Sequence, residues 1–159
     1  MRSLSKRWLA LTVIIICLIW GNSLVPASGS NGLSLSVLDA VCDALASLGL
    51  PVGWVTNFVV RKTAHFCEYL ALGFCASHAL DAERRPARGR LASCALLLVL
   101  VPSIDETIQL FVPGRSGQVT DVLLDCCGAA TGVALSYLVS HLVRTWRAHH
   151  ADAGDGDAR

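Results

Sequence analysis

Four stretches of this chain, residues 8–25, 59–80, 91–112 and 119–143, are apolar over a length that spans the roughly 30 Å hydrocarbon core of a bilayer at about 1.5 Å of helical rise per residue. In oil a backbone amide must find its partner inside the same segment or in a closed barrel, so runs of this length are helices. The chain is therefore expected to be all-α, an integral membrane bundle of four transmembrane helices. Composition agrees: 53% of the 159 residues are hydrophobic and 16% charged, and the mean hydropathy is +0.55, beyond the range of an ordinary soluble domain. A formal net charge of +1 supplies no footprint for nucleic acid.

Lys and Arg resist translocation, so the basic segments mark the cytoplasmic side. Arg2, Lys6 and Arg7 precede the first run, Arg84, Arg85, Arg88 and Arg90 separate the second from the third, and Arg144 and Arg147 follow the fourth. Both termini are thus expected inside, with 1–7 a cytoplasmic N-terminus and 144–159 a cytoplasmic, disordered tail. "MRSLSKRW" followed by an apolar core and "VPA" also has the outline of a signal peptide with a cleavage site after Ala27. The apolar run is longer than a signal core, which favours an uncleaved helix. Between the first two runs, Leu38, Val41, Leu45 and Leu48 share one helical face, and Ser36, Asp39, Asp43 and Ser47 the other. A capping pair at Ser36 and Asp39 and a stop at Gly49 and Pro51 predict an amphipathic outer helix over 34–49.

Ionisable side chains inside spans are costly and mark polar sites. In the expected topology Arg61, Lys62, His65 and Glu68 fall in the outer turns of the second span. Asp105, Glu106 and Gln109 fall in those of the third, and Asp121 and Asp125 in those of the fourth, just after loop residue Arg115. Three helices bring their charge to one level. Residues three or four apart share a face, so Arg61, His65 and Glu68 form one stripe, Asp105 and Gln109 a second, and Asp121 and Asp125 a third. The third continues into Gly128 and Gly132, a small-residue pattern that admits close helix packing, within the chain or between copies.

Three cations, Arg61, Lys62 and Arg115, face five carboxylates at Glu68, Asp105, Glu106, Asp121 and Asp125. That surplus is expensive out of water, so a proton, a metal ion or a ligand's ammonium group is expected to balance it. Lys62 taken alone reads as an interfacial anchor, and Arg61 as the partner of a carboxylate across the bundle. His65, Glu68 and Asp121 are the candidate metal ligands, for a divalent ion; His65, Glu68, Asp105 and Asp121 are the candidate acid/base groups. An ion-paired scaffold is the blander reading of the same residues. Cys17, Cys42, Cys67, Cys75, Cys94, Cys126 and Cys127 show no CxxC spacing and read as small hydrophobes, most of them buried in the apolar runs. His78 and Asp81 read as ordinary interface residues.

"RKTAHFCEYLALGF", "IDETIQLFVPGRSGQVTDVLLDCCGA" and the segment "IWGNSLVPASGSNGLSLSVLDAV" resemble the VanZ-like family of bacterial membrane proteins. The resemblance covers nearly the whole chain except its ends. It implies a multi-pass protein of the bacterial cytoplasmic membrane and cell envelope, associated with reduced susceptibility to teicoplanin, a lipid-tailed glycopeptide that acts outside the membrane. The family's motif positions fall on Arg61, Lys62, His65, Glu68, Tyr69, Asp105, Glu106, Gln109, Arg115, Asp121 and Asp125, which become the expected ligand-binding set. The leading functional expectation is a binder of membrane lipid or a lipid-linked envelope amphiphile. The alternative is a metal- or acid/base-dependent enzyme acting on such a substrate; a proton-coupled carrier fits less well, because no charge falls at the midplane of spans two to four.

Overall fold

A computed structural model describes residues 5–81 and 88–156. These residues hold five helices and no strand: α1 Lys6–Ser23, α2 Ala27–Ser47, α3 Asn57–Leu80, α4 Arg88–Gln109 and α5 Val119–Gly156. Arg2, Arg84, Arg85 and residues 157–159 lie outside the described residues.

Three helices are long and apolar enough to cross a membrane: Lys6–Ser23, Leu91–Gln109 and Val119–Ala148. The run at 59–80, expected as a fourth, does not join them on composition, although α3 has 24 residues. His65, Glu68 and the other polar residues of its first half lower its hydropathy. The molecule is a membrane protein all the same, since Leu18, Leu96, Leu123, Leu138 and Leu142 project from α1, α4 and α5 without any protein cover. Cys17 and Cys127 also lie on this outer surface, and Cys67 is exposed on α3, not in the core as expected.

The polar helix occupies the centre. α3 packs against each of the other four helices, and its face through Tyr69, Leu72 and Ala76 is fully buried. Side chains too polar for lipid are thus enclosed by the apolar helices around them. α3 runs parallel to α5: Lys62 meets Asp121 at one end, Ser77 meets Ser136 further along, and Tyr137 donates to Asp81 at the far end over 2.8 Å. α1 and α4 run the other way, joined by Trp20 Nε1 donating to the Val101 carbonyl at 3.3 Å. Trp8 stacks on His78 with ring centroids 4.3 Å apart, closing the far end. His78 and Asp81 are therefore joints of the bundle, not loose interface residues.

Two boundaries differ from expectation. α2 begins at Ala27, not near residue 34, because Pro26 sets the entry angle and the Ala27 N–H bonds the Pro113 carbonyl at 3.3 Å, tying the helix start to the α4–α5 loop. Its end falls where expected: Gly49 takes φ of 71°, and the N–H groups of Gly49 and Leu50 bond back to Ala46 and Leu45. At the C-terminus, the tail expected to be disordered is helical as far as Gly156. Arg144, Arg147 and Ala148 are good helix formers, and no glycine or proline interrupts the chain between Gly132 and Gly154.

Glycines set the distance between α3 and α5. A methyl group on Gly73 would overlap the Ala129 carbonyl, one on Gly132 would overlap that of Leu70, and one on Gly128 would lie 2.6 Å from that of Phe66. The Gly128 and Gly132 face, open in sequence to a second chain, is filled by α3 of its own. Gly132→Leu is expected to force the two helices apart and lower the melting temperature in detergent, at a cost of at least about 1–3 kcal/mol. Gly21→Leu, at a position where an added carbon meets nothing within 4 Å, should leave the melt unchanged.

Candidate functional site

The site lies at the end of the bundle where α1 and α4 finish and α3 and α5 begin. Its supports start with a proline. Pro102, buried inside α4, cannot donate to the Leu98 carbonyl one turn back. That carbonyl instead accepts a weak bond from the Cys126 thiol of α5, 3.6 Å away. One turn beyond, Asp105, Glu106 and Gln109 are buried at 0%, 5% and 4% exposure. In a surface helix, side chains of this kind would face water.

Gln109 ties the group together. Its amide nitrogen lies 2.9 Å from Glu106 Oε1, 3.3 Å from Asp105 Oδ2 and 3.4 Å from Ser23 Oγ at the end of α1. The second Glu106 oxygen accepts the Gln118 N–H at 2.8 Å, an acidic cap for the start of α5. A side chain on Gly117 would strike the Glu106 carbonyl, so only glycine lets the α4–α5 loop pass this closely.

The cations do not pair as the sequence suggested. Lys62, expected to be an interfacial anchor, forms an ion pair with Asp121, and its ammonium group lies 5.4 Å from the centre of the Phe58 ring. Arg61, expected to hold a carboxylate, donates instead to Asn31 Oδ1 of α2 at 3.2 Å. One residue along a helix turns a side chain by about 100°, and that rotation sends Lys62 towards α5 and Arg61 towards α2. Arg115 donates from Nε and Nη2 to the carbonyls of Val25 and Asn22, both at 2.8 Å. It thus caps the end of α1, where helix carbonyls lack internal donors.

Of the residues expected to hold a metal, His65 stays central while Glu68 and Asp121 do not join it. Donor atoms of His65, Asp105 and Asp125 lie within 4.8 Å of one another; Asp121 is committed to Lys62. Glu68 instead lines a cavity of about 470 Å³ between α2 and the first half of α3. Leu33, Val37 and Val41 from α2 and Val59 and Val60 from α3 give it apolar walls, with Arg61, His65 and Glu68 on the α3 side. Tyr69 is fully buried one turn below His65. Every residue of the expected set except Lys62, Arg115 and Asp121 either lines this cavity or is buried in the core beside it; Lys62 and Asp121 are half-buried where they pair.

Sequence reasoning passed over Asn22, Ser23, Asn31, Pro102 and Cys126. Asn22 and Ser23 were visible as a polar pair ending an apolar run, and Pro102 as a break in helix donors. No signal in sequence linked Asn31 to Arg61, because that contact depends on how α2 folds back.

Fold and site together define a helical membrane protein whose helices enclose a cluster of carboxylates at one end. The chain belongs to the VanZ/LLP1 family, whose profile matches residues 8–140, from the first turn of α1 to the middle of α5. Among curated proteins and solved structures no match is found.

Gln109→Leu would leave Ser23, Asp105 and Glu106 without the donor they share. Each buried acceptor so abandoned costs about 1–3 kcal/mol, and a thermal melt in detergent should fall accordingly, whereas Gln118→Leu, which keeps the backbone donor to Glu106, should change little.

Proposed function

We propose that this is a four-pass protein of the bacterial cytoplasmic membrane, with both termini in the cytoplasm, that binds a lipid-linked envelope amphiphile at the outer leaflet and so lowers susceptibility to teicoplanin. The observation that carries the reading is the cavity between α2 and α3. Its long walls are aliphatic and suit an acyl chain, while Arg61, His65 and Glu68 along one side suit a polar head. Pockets with apolar walls and a few convergent polar groups are the usual form of a site for such a molecule.

The same picture supports the proposed topology. α3 counts as the fourth span because its ionisable residues face neighbouring helices, so the apolar exterior of the bundle is what lipid would meet. The basic residues Arg7, Arg88, Arg144 and Arg147 lie at the end away from the cavity and favour the cytoplasm. Family membership supports the link to teicoplanin as an expectation for this chain.

Two measurements test this. Single cysteines placed at positions 61 and 115 of a variant lacking the native seven should both react with a membrane-impermeant thiol reagent from outside; labelling from opposite sides would end the model. Expression in a susceptible Gram-positive host should raise the inhibitory concentration of teicoplanin severalfold. Val37→Trp, which fills the cavity, should abolish that rise while the protein accumulates normally. An unchanged concentration on expression, or full resistance with the cavity filled, would refute ligand capture there.

A further inference from the structure

His65 of α3, Asp105 of α4 and Asp125 of α5 converge from three helices, each offering a donor atom within 4.8 Å of the others. The two carboxylates are buried at 0% and 1% exposure. Both oxygens of Asp125, Oδ1 of Asp105, Nδ1 of His65 and the Tyr69 hydroxyl beside them are enclosed without a well-formed hydrogen bond among the described residues. Buried polar atoms are nearly always paired, so this many at one point, with acceptors in excess, indicate a missing partner.

The surrounding groups supply only part of it: the buried Tyr69 hydroxyl and Ser23 stand beside Asp105, but both are neutral and neither bonds Asp125. Lys62 is engaged by Asp121, Arg61 by Asn31, and Arg115 by the carbonyls closing α1. Gln109 reaches only the other oxygen of Asp105. What remains is a pocket of two carboxylates, an imidazole and a phenol, with a charge of about −2 when both acids are ionised and the imidazole is neutral, and with the nearby cations committed to other partners.

We propose that His65, Asp105 and Asp125 bind one divalent first-row transition-metal ion. Its charge balances the two carboxylates, and one nitrogen with two oxygens is a donor set that zinc, manganese and ferrous iron accept. Ligand atoms about 2.0–2.2 Å from a metal stand roughly 3.0–3.5 Å apart, so loading draws the three heads together by side-chain rotation. Three protein ligands leave a coordination position free. His65 also lines the α2–α3 cavity, so the ion site adjoins that cavity through this one side chain. The ion site stands on its own geometry whether or not the cavity takes an amphiphile.

Cobalt(II) alone, titrated into the metal-stripped, detergent-solubilised full chain, tests the site. One ion per chain is expected, with visible ligand-field bands and no thiolate charge-transfer band, which separates the site from the free cysteines. Asp125→Asn and His65→Gln should each weaken binding by at least about tenfold to a hundredfold, the range seen even for groups one shell further out. Asp43→Asn, exposed on α2 and outside the site, should bind as the parent does. If Asp125→Asn fails to fold, Asp105→Asn takes its place. The proposal is overturned if the folded parent binds no cobalt, if the bound ion shows a thiolate band, or if both ligand variants retain full affinity. Cobalt binding without any change in teicoplanin susceptibility would leave the ion site standing and remove only the capture of the amphiphile.

Discussion

The close approach of α3 to α5 is the constraint on which the rest of this structure depends. Lipid is as apolar as leucine, so helices in a bilayer gain little from burying greasy surface against each other and rely on tight packing. Gly73, Gly128 and Gly132 allow that packing because their missing side chains leave room for the opposing carbonyls. The two helices run parallel, which places Lys62 beside Asp121 and Asp125 level with His65. A spacing one side chain wider would separate these pairs.

Around this seam the polar groups divide into two kinds. Some hold the scaffold: Arg115 closes α1, Gln109 links three acceptors, Glu106 caps the start of α5, and Lys62 joins α3 to Asp121. Others are enclosed without such a task, above all Asp125 and the free oxygen of Asp105. A fold that satisfies most of its buried polar atoms leaves several bare at one point, next to a residue that lines the cavity. The far end shows the contrast, where Tyr137 satisfies Asp81 and Trp8 covers His78.

α3 shows where apolar length and mean hydropathy part company: its run at 59–80 was expected as a span, and composition does not place it with the other three. Its ionisable half brings hydropathy below that of the other long helices, yet it touches all of them. Hydropathy reports on a helix as though lipid surrounded it, and the central helix of a bundle meets protein instead. For α2 the start was misjudged because the tether between Ala27 and Pro113 joins residues far apart in the chain, while the stop at Gly49 was legible because a left-handed glycine acts locally.

Periodicity and length alone determined that this chain is helical and membrane-bound, that its polar residues gather at one level, and that Gly128 and Gly132 form a packing face. These follow from the helix repeat and from the cost of bare amides and charges in oil, both local properties of each segment. Tertiary structure decided who meets whom: Lys62 and not Arg61 takes a carboxylate, and Asp105 and Asp125 and not Glu68 and Asp121 stand with His65. Those choices turn on the rotation of each helix about its axis and on its offset along its neighbour, quantities fixed only when the helices have packed.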